Sequence, residues 1–233
     1  GMAKNLYENF NYVKELFEKS DDILNQKLSK IILEGSKQEL DLTENTQPSI
    51  FLVSYCIAEI IKKETKFDLN KAEFFAGHSL GEYTALAVSG SLSFEKTIYL
   101  LKKRGKSMQS ASPNRDGGMI AILGSDISVI EKILKDNVNK YKCYIANDNS
   151  VGQVVISGKN SDLENLILDL KEKTIKNIKL PVSAPFHCNL MRPATEIMKK
   201  EIENTHLIKP KNKLISNVTA YEALEVEDIK NLL

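Results

Sequence analysis

The segment Gly77-His78-Ser79-Leu80-Gly81 fits the pattern Gly-x-Ser-x-Gly and separates two elements of different kinds. Residues 72–76, before it, form a short apolar and aromatic run that predicts a strand. Residues 81–88, after it, predict a helix with small alanines on one side. A serine on such a sharp turn is exposed, and glycines at both ends remove Cβ atoms where backbone passes close. The segment alone leaves two interpretations open, a nucleophilic serine and an ordinary strand-turn-helix joint.

A helix that begins just after Ser79 would direct backbone N–H groups, including that of Leu80, toward the serine. Such donors can hold the oxyanion that forms when a serine attacks a thioester carbonyl. We therefore predict Leu80 as a contributor to catalysis through its main chain.

Composition limits the possible functions. The 233 residues are 42% hydrophobic and 27% charged, with a formal net charge of +1, as in ordinary globular proteins. So small a charge provides no strong field for nucleic acid or an anionic membrane, and no apolar run approaches the ~20 residues of a membrane span. Cys56, Cys143 and Cys188 show no CxxC spacing, which predicts neither zinc nor disulfides and favours a reduced cytoplasm. We expect no cofactor and no metal.

The middle of the chain predicts a second, smaller domain. Strand-like and helix-like segments alternate there as βαββαβ, the ferredoxin-like order: strand 118–124, helix 129–138, strands 143–146 and 153–157, helix 162–173 and strand 178–183. We expect residues 117–184 to form this domain, inserted into a larger α/β domain made of residues 1–116 and 185–233. Elsewhere the pattern predicts helices over 9–19, from Pro48 to 64, from Ser93 onward and over 193–204, and a strand over 213–218.

A serine nucleophile needs a base, and the chain has only three histidines. The side chain of His78 should leave the turn in a different direction from that of Ser79, and His206 lies among charged residues at the surface. His187 follows one predicted strand and precedes a predicted helix, where open α/β sheets keep their ligands. The alternative for His187 is a hydrogen-bonded loop histidine.

Arg104 is one of only three arginines, with Arg115 and Arg192. It lies on the helix from Ser93, at the edge of the apolar stripe. A basic solvated face is the alternative, and we prefer it for the neighbouring lysines Lys102, Lys103 and Lys106.

Four strings in order resemble a known family. They are GHSLGEYTAL at 77–86, RGKSMQ at 104–109, NDNSVGQVVISG at 147–158 and VSAPFHC at 182–188. They are similar to segments of the malonyl-CoA:acyl-carrier-protein transacylases and related acyltransferase domains of fatty-acid and polyketide synthesis. The resemblance spans most of the chain and implies an α/β-hydrolase-like large domain with a parallel sheet.

This resemblance implies a ping-pong reaction in fatty-acid biosynthesis. Ser79 would carry the malonyl group from malonyl-CoA to the phosphopantetheine thiol of acyl carrier protein. His187 would act as general base and acid. A late backbone carbonyl orients the histidine in the family, which fits the lack of an obvious aspartate partner.

The resemblance also implies how the acyl group is selected. Arg104 would pair with the free malonyl carboxylate through two hydrogen bonds, and Phe186 would narrow the pocket. Met108 could line the same pocket, with an ordinary place in the apolar core as the alternative. Asn147 and Gln153 match residues that face the cleft, although turn chemistry is their alternative. The residues predicted to bind the substrate are Arg104, His78, Met108, Phe186, Asn147 and Gln153.

The chain departs from the family at its ends. Gly1-Met2-Ala3-Lys4-Asn5 resembles the segment after the family's opening Gly-Gln-Gly turn, and no late Gly-Pro-Gly region precedes Leu233. We expect a chain cropped at both ends, without a central strand and the second oxyanion donor. Losing one such donor costs about 100-fold or more in rate, so this fragment alone should be poorly active or poorly folded.

Three other functions stay open. A serine hydrolase shares the serine turn but usually has an acidic residue between serine and histidine, and it has no use for Arg104. A non-enzymatic module that only docks a carrier protein would not need Ser79 and His187. An acyltransferase from a polyketide synthase would share the same chemistry.

Overall fold

The computed structural model describes residues 2–114, 116–182 and 184–233. The chain divides into two compact units, Gly1–Lys106 with Met198–Leu233, and Ser107–Ile197. The domain limits predicted from the sequence, 117–184 within 1–116 and 185–233, stay a prediction. Arg115, and Ser183 of the fourth family-like string, lie outside the described residues.

Helices make up most of the first unit, and further helices lie in the second unit. In chain order the helices are α1 Lys4–Asn9, α2 Asn11–Leu24, α3 Leu28–Glu34, α4 Lys37–Leu40, α5 Thr43–Glu64, α6 Leu80–Val88, α7 Phe94–Ser110, α8 Ile127–Asp136, α9 Asn160–Glu172, α10 Arg192–Glu203 and α11 Val226–Leu232, with short 3₁₀ turns at Leu69–Lys71 and Asn189–Met191. The core of the first unit is apolar and aromatic and includes Phe17, Phe51, Leu86, Ile98 and Leu214.

The strands of the first unit are shorter than those of the second unit. The chain's strands are β1 Phe74–Phe75, β2 Gly117–Leu123, β3 Cys143–Ser150, β4 Gln153–Lys159, β5 Lys176–Lys179, β6 Lys213–Ile215 and β7 Glu222–Ala223. In the first unit β1 pairs with β6 in parallel, and β6 pairs with β7 antiparallel, in the order β1-β6-β7. This unit is α/β with a parallel pair of strands, as the sequence predicts.

Two predicted helix limits in the first unit are wrong. The helix predicted over 9–19 is interrupted at Phe10, which has extended backbone, and continues as α2 to Leu24. The helix expected to start at Pro48 starts at Thr43, so Pro48 lies inside α5. Proline is tolerated there because, close to the amino end of the helix, its missing N–H removes a single helical hydrogen bond.

The amino end of α7 is capped as predicted, but one of its lysines was misplaced. The Lys96 N–H donates to Ser93 Oγ over 3.2 Å, the bond of an N-cap serine. Lys103 and Lys106 keep solvent contact, whereas Lys102 is only 8% exposed and lies 3.1 Å from Asn45 Oδ1. The solvated basic face predicted for the lysines therefore does not include Lys102, and burial lowers the pKa of its ammonium.

The second unit confirms the predicted βαββαβ order. Its sheet has the strand order β3-β4-β2-β5, and all neighbouring strands are antiparallel. Helices α8 and α9 contribute Ile130 and Leu166 to a core that the strands complete with Ile120, Ile122 and Ile156. This arrangement is the ferredoxin-like fold that the pattern indicates.

Two features are absent from the residues that the structure describes. No helix combines the length and the apolarity needed to cross a bilayer. Within the same ranges, no three His, Cys, Asp or Glu side chains are grouped so that they could hold a metal ion.

Candidate active site

Ser79 lies on the strand-turn-helix joint that the sequence predicts, between the end of β1 at Phe75 and the start of α6 at Leu80. Its backbone has φ 53° and ψ −111°, a conformation that non-glycine residues rarely adopt. Holding a serine in such a region costs on the order of 1–3 kcal/mol, so the surrounding structure must impose it. We call residues 77–81 the elbow.

The two glycines of the elbow have different roles. A Cβ on Gly77 would lie 2.0 Å from the Gly81 carbonyl oxygen, so only glycine fits there. A Cβ on Gly81 would have no described atom within 4 Å. The sequence prediction that both glycines permit a close backbone approach is therefore right for Gly77 and wrong for Gly81, because no described backbone from outside α6 comes near the Gly81 Cβ position.

The amino end of α6 presents backbone donors beside Ser79. The Gly81 N–H donates to the His78 carbonyl over 2.8 Å, and the Glu82 N–H donates to the Ser79 carbonyl over 3.1 Å. Leu80 is the first residue of α6, and its N–H belongs to the first turn, where no helical carbonyl accepts. The Leu80 N–H can therefore donate a hydrogen bond to the oxyanion that forms when Ser79 attacks a carbonyl carbon.

A cavity of about 470 Å³ opens along the elbow. Its lining includes His78, Ser79 and Leu80 from the elbow, with Ile50 from α5 and Thr84 from α6. His78 is exposed, and Ser79 is half-buried. The serine hydroxyl is thus accessible from a space large enough for part of a small-molecule substrate.

Arg104 lies beside the serine. Its Nη2 donates to Ser79 Oγ over 3.2 Å, its Nη1 donates to Gln47 Oε1 over 2.7 Å, and its guanidinium carbon lies 5.8 Å from the Tyr83 ring centroid. Burial lowers the pKa of this guanidinium, although arginine stays charged in proteins. The structure thus places Arg104 beside Ser79, and its role in substrate binding stays a prediction.

No carboxylate of the described residues lies within ion-pair distance of Arg104. Among the described residues, the acidic side chains that form ion pairs do so with lysines. Glu82 influences Arg104 through its charge at longer range. A charged guanidinium that has amide and hydroxyl acceptors but no acidic partner is suited to bind the carboxylate of a ligand.

Gln47 was missed by the sequence analysis. It is 3% exposed on α5 and accepts from Arg104, with its own amide donating to Thr43 Oγ1 over 3.1 Å. A signal existed, since Gln47 lies four residues before Phe51 on the buried face of the helix. A glutamine on an apolar helix face usually has a hydrogen-bonding task.

The sequence also did not predict Glu82 and Asn217, which together hold the elbow through hydrogen bonds. Asn217 Oδ1 accepts from the Ser79 N–H over 3.1 Å, and Asn217 Nδ2 donates to the Gly77 carbonyl over 2.7 Å. Glu82 Oε2 accepts from Asn217 Nδ2 over 2.5 Å and from the Asn217 N–H over 3.3 Å. Burial raises the pKa of Glu82, while the bonds from Asn217 and the charge of Arg104 oppose that rise.

His187 lies in the second unit, also in an unusual backbone conformation with φ 55°. The sequence placed it at the carboxyl end of a strand, which is wrong: β5 ends at Lys179, and irregular backbone fills the residues described between it and His187. The segment is fixed on either side of the histidine, because Ser157 Oγ donates to the Phe186 carbonyl over 2.5 Å and Cys188 Sγ contacts the Pro185 carbonyl at 3.1 Å.

Met108 and Phe186, both predicted pocket residues, lie in one small apolar cluster of the second unit. Met108 is 7% exposed, and Phe186 is half-buried against the cluster. Asn147 and Gln153 lie on paired strands β3 and β4, where Asn147 is next to an irregularity in register. Gln153 Oε1 accepts from Asn149 Nδ2 over 3.2 Å, a contact that fits turn chemistry. His206 is exposed, as expected.

Comparison with known proteins identifies the family of this chain. Residues 1–229 match the family described as "Acyl transferase domain". The chain belongs to this acyltransferase family.

Named relatives of this acyltransferase are malonyl transferases. A malonyl CoA-acyl carrier protein transacylase of Bacillus subtilis is 40% identical over 236 residues, which is 100% of this chain and 73% of the relative. The crystal structure of an acyl-carrier-protein S-malonyltransferase from Bartonella henselae is 39% identical, with a TM-score of 0.94 over 100% of this chain and 74% of that one. A malonyl-transacylase in complex with its type II polyketide synthase acyl-carrier protein is 32% identical, with a TM-score of 0.93 and coverage of 100% and 74%.

Proposed function

We propose that this acyltransferase moves a malonyl group from malonyl-CoA to the phosphopantetheine thiol of acyl carrier protein, in fatty-acid biosynthesis. One observation carries the proposal: the hydroxyl of a serine on a strained elbow lies 3.2 Å from a guanidinium that has no acidic partner among the described residues. The serine supplies a nucleophile, and the guanidinium supplies a site for a carboxylate. Malonyl-CoA combines a thioester carbonyl and a free carboxylate in one short acyl group.

In the first half-reaction, Ser79 Oγ attacks the thioester carbonyl carbon of malonyl-CoA. His187 accepts the hydroxyl proton, and the Leu80 N–H stabilises the oxyanion of the tetrahedral intermediate. The carbon–sulfur bond then breaks, and the CoA thiolate leaves with the proton that His187 returns. Ser79 is left as a malonyl ester.

In the second half-reaction, the phosphopantetheine thiol of the carrier protein is the nucleophile. His187 takes the thiol proton as sulfur attacks the ester carbonyl, and the same N–H group again stabilises the oxyanion. The carbon–oxygen bond to Ser79 breaks, and His187 protonates the serine oxygen. Malonyl is then on the carrier protein, and the enzyme returns to its starting state.

Arg104 selects the acyl group in this proposal. The malonyl carboxylate would replace the serine hydroxyl as the acceptor at Nη2, while Gln47 keeps Nη1 oriented. An acetyl group has no carboxylate to offer, so its binding would leave a charged donor without its partner. Phe186 and Met108 would limit the size of the group that can be carried, and His78, Asn147 and Gln153 remain proposed substrate contacts.

A serine hydrolase would share the elbow but would differ in whether water reacts with the acyl-enzyme. A hydrolase lets water reach the acyl-enzyme, whereas a transferase must keep it from reacting until the thiol arrives. The polyketide-type alternative shares the reaction itself and differs only in the carrier protein served. We place the enzyme in the cytoplasm, a proposal supported by three free cysteines.

A two-stage assay tests the function. The chain is mixed with malonyl-CoA, and CoA release is followed with a thiol reagent before and after the addition of holo-acyl carrier protein. We expect one equivalent of CoA without carrier and slow but continuing release with it, at the reduced rate that the sequence predicts for this chain, and Ser79→Ala should show neither. Continuous CoA release without carrier acylation would favour the hydrolase and overturn the transferase.

A further inference from the structure

The side chains of Glu82 and Asn217 link the turn after β6 to the elbow through hydrogen bonds. Asn217 takes part in four hydrogen bonds: its side chain accepts from the Ser79 N–H and donates to the Gly77 carbonyl, and Asn217 donates twice to Glu82. No step of the proposed reaction uses either residue. A carboxylate that is 4% exposed on an otherwise apolar helix is costly, so its retention calls for an explanation.

The two bonds to the elbow fall on both sides of the strained serine. The Asn217 amide oxygen takes the N–H of Ser79, and its amide nitrogen reaches the carbonyl of Gly77. A single planar amide thus fixes the backbone before the serine and at the serine. Since φ 53° and ψ −111° are unfavourable for serine, these two bonds are suited to hold the hydroxyl in its exposed position.

Glu82 orients the amide that makes those bonds. Its Oε2 accepts from both Asn217 Nδ2 and the Asn217 main-chain N–H, which fixes the amide group with the oxygen toward Ser79. An amide without this acceptor could rotate or turn to solvent, because Asn217 itself is exposed. Ser216 keeps the turn closed, since its Oγ accepts from the Val218 N–H over 3.1 Å.

We propose that Asn217 is a positioning residue for the Ser79 nucleophile and that Glu82 fixes the amide orientation on which this depends. The proposal rests on the proposed function only in so far as Ser79 is the nucleophile. It concerns the rate at which the serine reacts, not the choice of acyl group.

The experiment measures Ser79 reactivity without any acyl substrate. A fluorophosphonate probe labels nucleophilic serines, because the serine oxygen displaces fluoride from phosphorus and the serine proton passes to the general base. The second-order rate of labelling is followed for the 233-residue chain, with Ser79→Ala as the blank. Circular dichroism and thermal unfolding establish that each variant is folded at the assay temperature.

Asn217→Asp is the main variant, since it keeps the size of the side chain, removes the donor to Gly77 and places a second carboxylate against Glu82. We expect labelling to fall about 10- to 100-fold, in line with the cost of a misplaced reacting atom. Adding Glu82→Gln to Asn217→Asp should recover part of this loss, because the new amide can donate to the new carboxylate. Glu82→Gln alone should have a small effect, since its oxygen can still accept both bonds. If Asn217→Asp does not fold, Asn217→Ser removes the amide without adding a charge.

Asn212→Asp is the matched control. Asn212 precedes β6, and its Nδ2 also donates to two backbone carbonyls, those of Asn70 and Ala72, at 3.0 and 2.5 Å. It contacts no elbow residue through these bonds. A folded Asn212→Asp variant should be labelled at the wild-type rate even if its thermal stability falls.

The possible results separate this inference from the function. Equal labelling of folded Asn217 variants and wild type would overturn the positioning role and leave the transferase standing. If the variants are labelled in the expected order but malonyl-CoA does not acylate the chain, the transferase is overturned and the positioning role stands. A wild-type chain that the probe does not label at Ser79 would overturn both. With malonyl-CoA, the loss in Asn217→Asp should appear in kcat while KM is kept.

Discussion

The sheet of the second unit and the elbow of the first unit are held in place by different forces. In the sheet, β2 and β4 pair over seven residues each, and Ile120, Ile122 and Ile156 are fully buried. The elbow follows a strand of two residues and is held by the polar groups of Asn217, Glu82 and Arg104. Apolar burial stabilises the sheet, whereas hydrogen bonds maintain an unfavourable backbone conformation in the elbow. Damage to each should therefore show in a different measurement.

The largest effect on stability is expected in the sheet. Ile156→Ala removes a fully buried side chain from the core of the second unit and should lower the free energy of unfolding by about 2–5 kcal/mol. Denaturant titration measures this loss. The labelling rate of Ser79 in the folded variant should match wild type, and a proportionate fall in both quantities would show that the two regions are not energetically distinct.

Gly77→Ala should have the opposite profile. The new Cβ would lie 2.0 Å from the Gly81 carbonyl oxygen, so the turn must open and the serine must move. We expect the labelling rate of Ser79 to fall by about 100-fold or more, since a displacement near 1 Å can have that cost. A folded Gly77→Ala variant that reacts at the wild-type rate would contradict the account of the elbow.

Arg104→Lys should have a smaller and more selective effect. Lysine keeps the charge but loses the planar pair of donors that contact Gln47 and Ser79. We expect the rate of acylation by malonyl-CoA to fall about 10- to 100-fold, which corresponds to the 1.5–3 kcal/mol of a hydrogen bond to a charged group. Acylation by acetyl-CoA is the internal control and should change less, so the ratio of the two rates is the decisive number.

The smallest effect is expected at the second glycine of the elbow. A Cβ on Gly81 meets no described atom within 4 Å, and alanine is the better helix residue by about 0.5–1 kcal/mol. Gly81→Ala should therefore unfold at the same or a slightly higher temperature and keep its labelling rate. A large loss of labelling would mean that the elbow needs flexibility at Gly81.

The two regions also differ in how far the sequence predicts them. Alternating apolar residues and turn residues predicted the whole βαββαβ order, because each of those elements buries one face and repeats with its own period. The elbow was predicted from Gly77, Ser79 and the change from strand to helix. The rarity of arginine made all three arginines worth inspecting, and the family resemblance singled out Arg104 among them.

The polar residues that complete the site were not predicted, for a physical reason. Gln47 and Asn217 come from segments 32 residues before and 138 residues after Ser79, and only tertiary structure brings them to it. Glu82 could have been noticed, since an acidic residue among the apolar residues of α6 must find a partner. The place of His187 beyond a long irregular segment was misjudged because β5 ends earlier than the apolar pattern predicts.

Peptide mass spectrometry after incubation with malonyl-CoA shows whether Ser79 carries the acyl group. We expect a malonyl adduct on the peptide that contains Ser79, lost in Ser79→Ala and removed when holo-acyl carrier protein is added. An adduct on any other residue, or one that persists in Ser79→Ala, would contradict this role of Ser79.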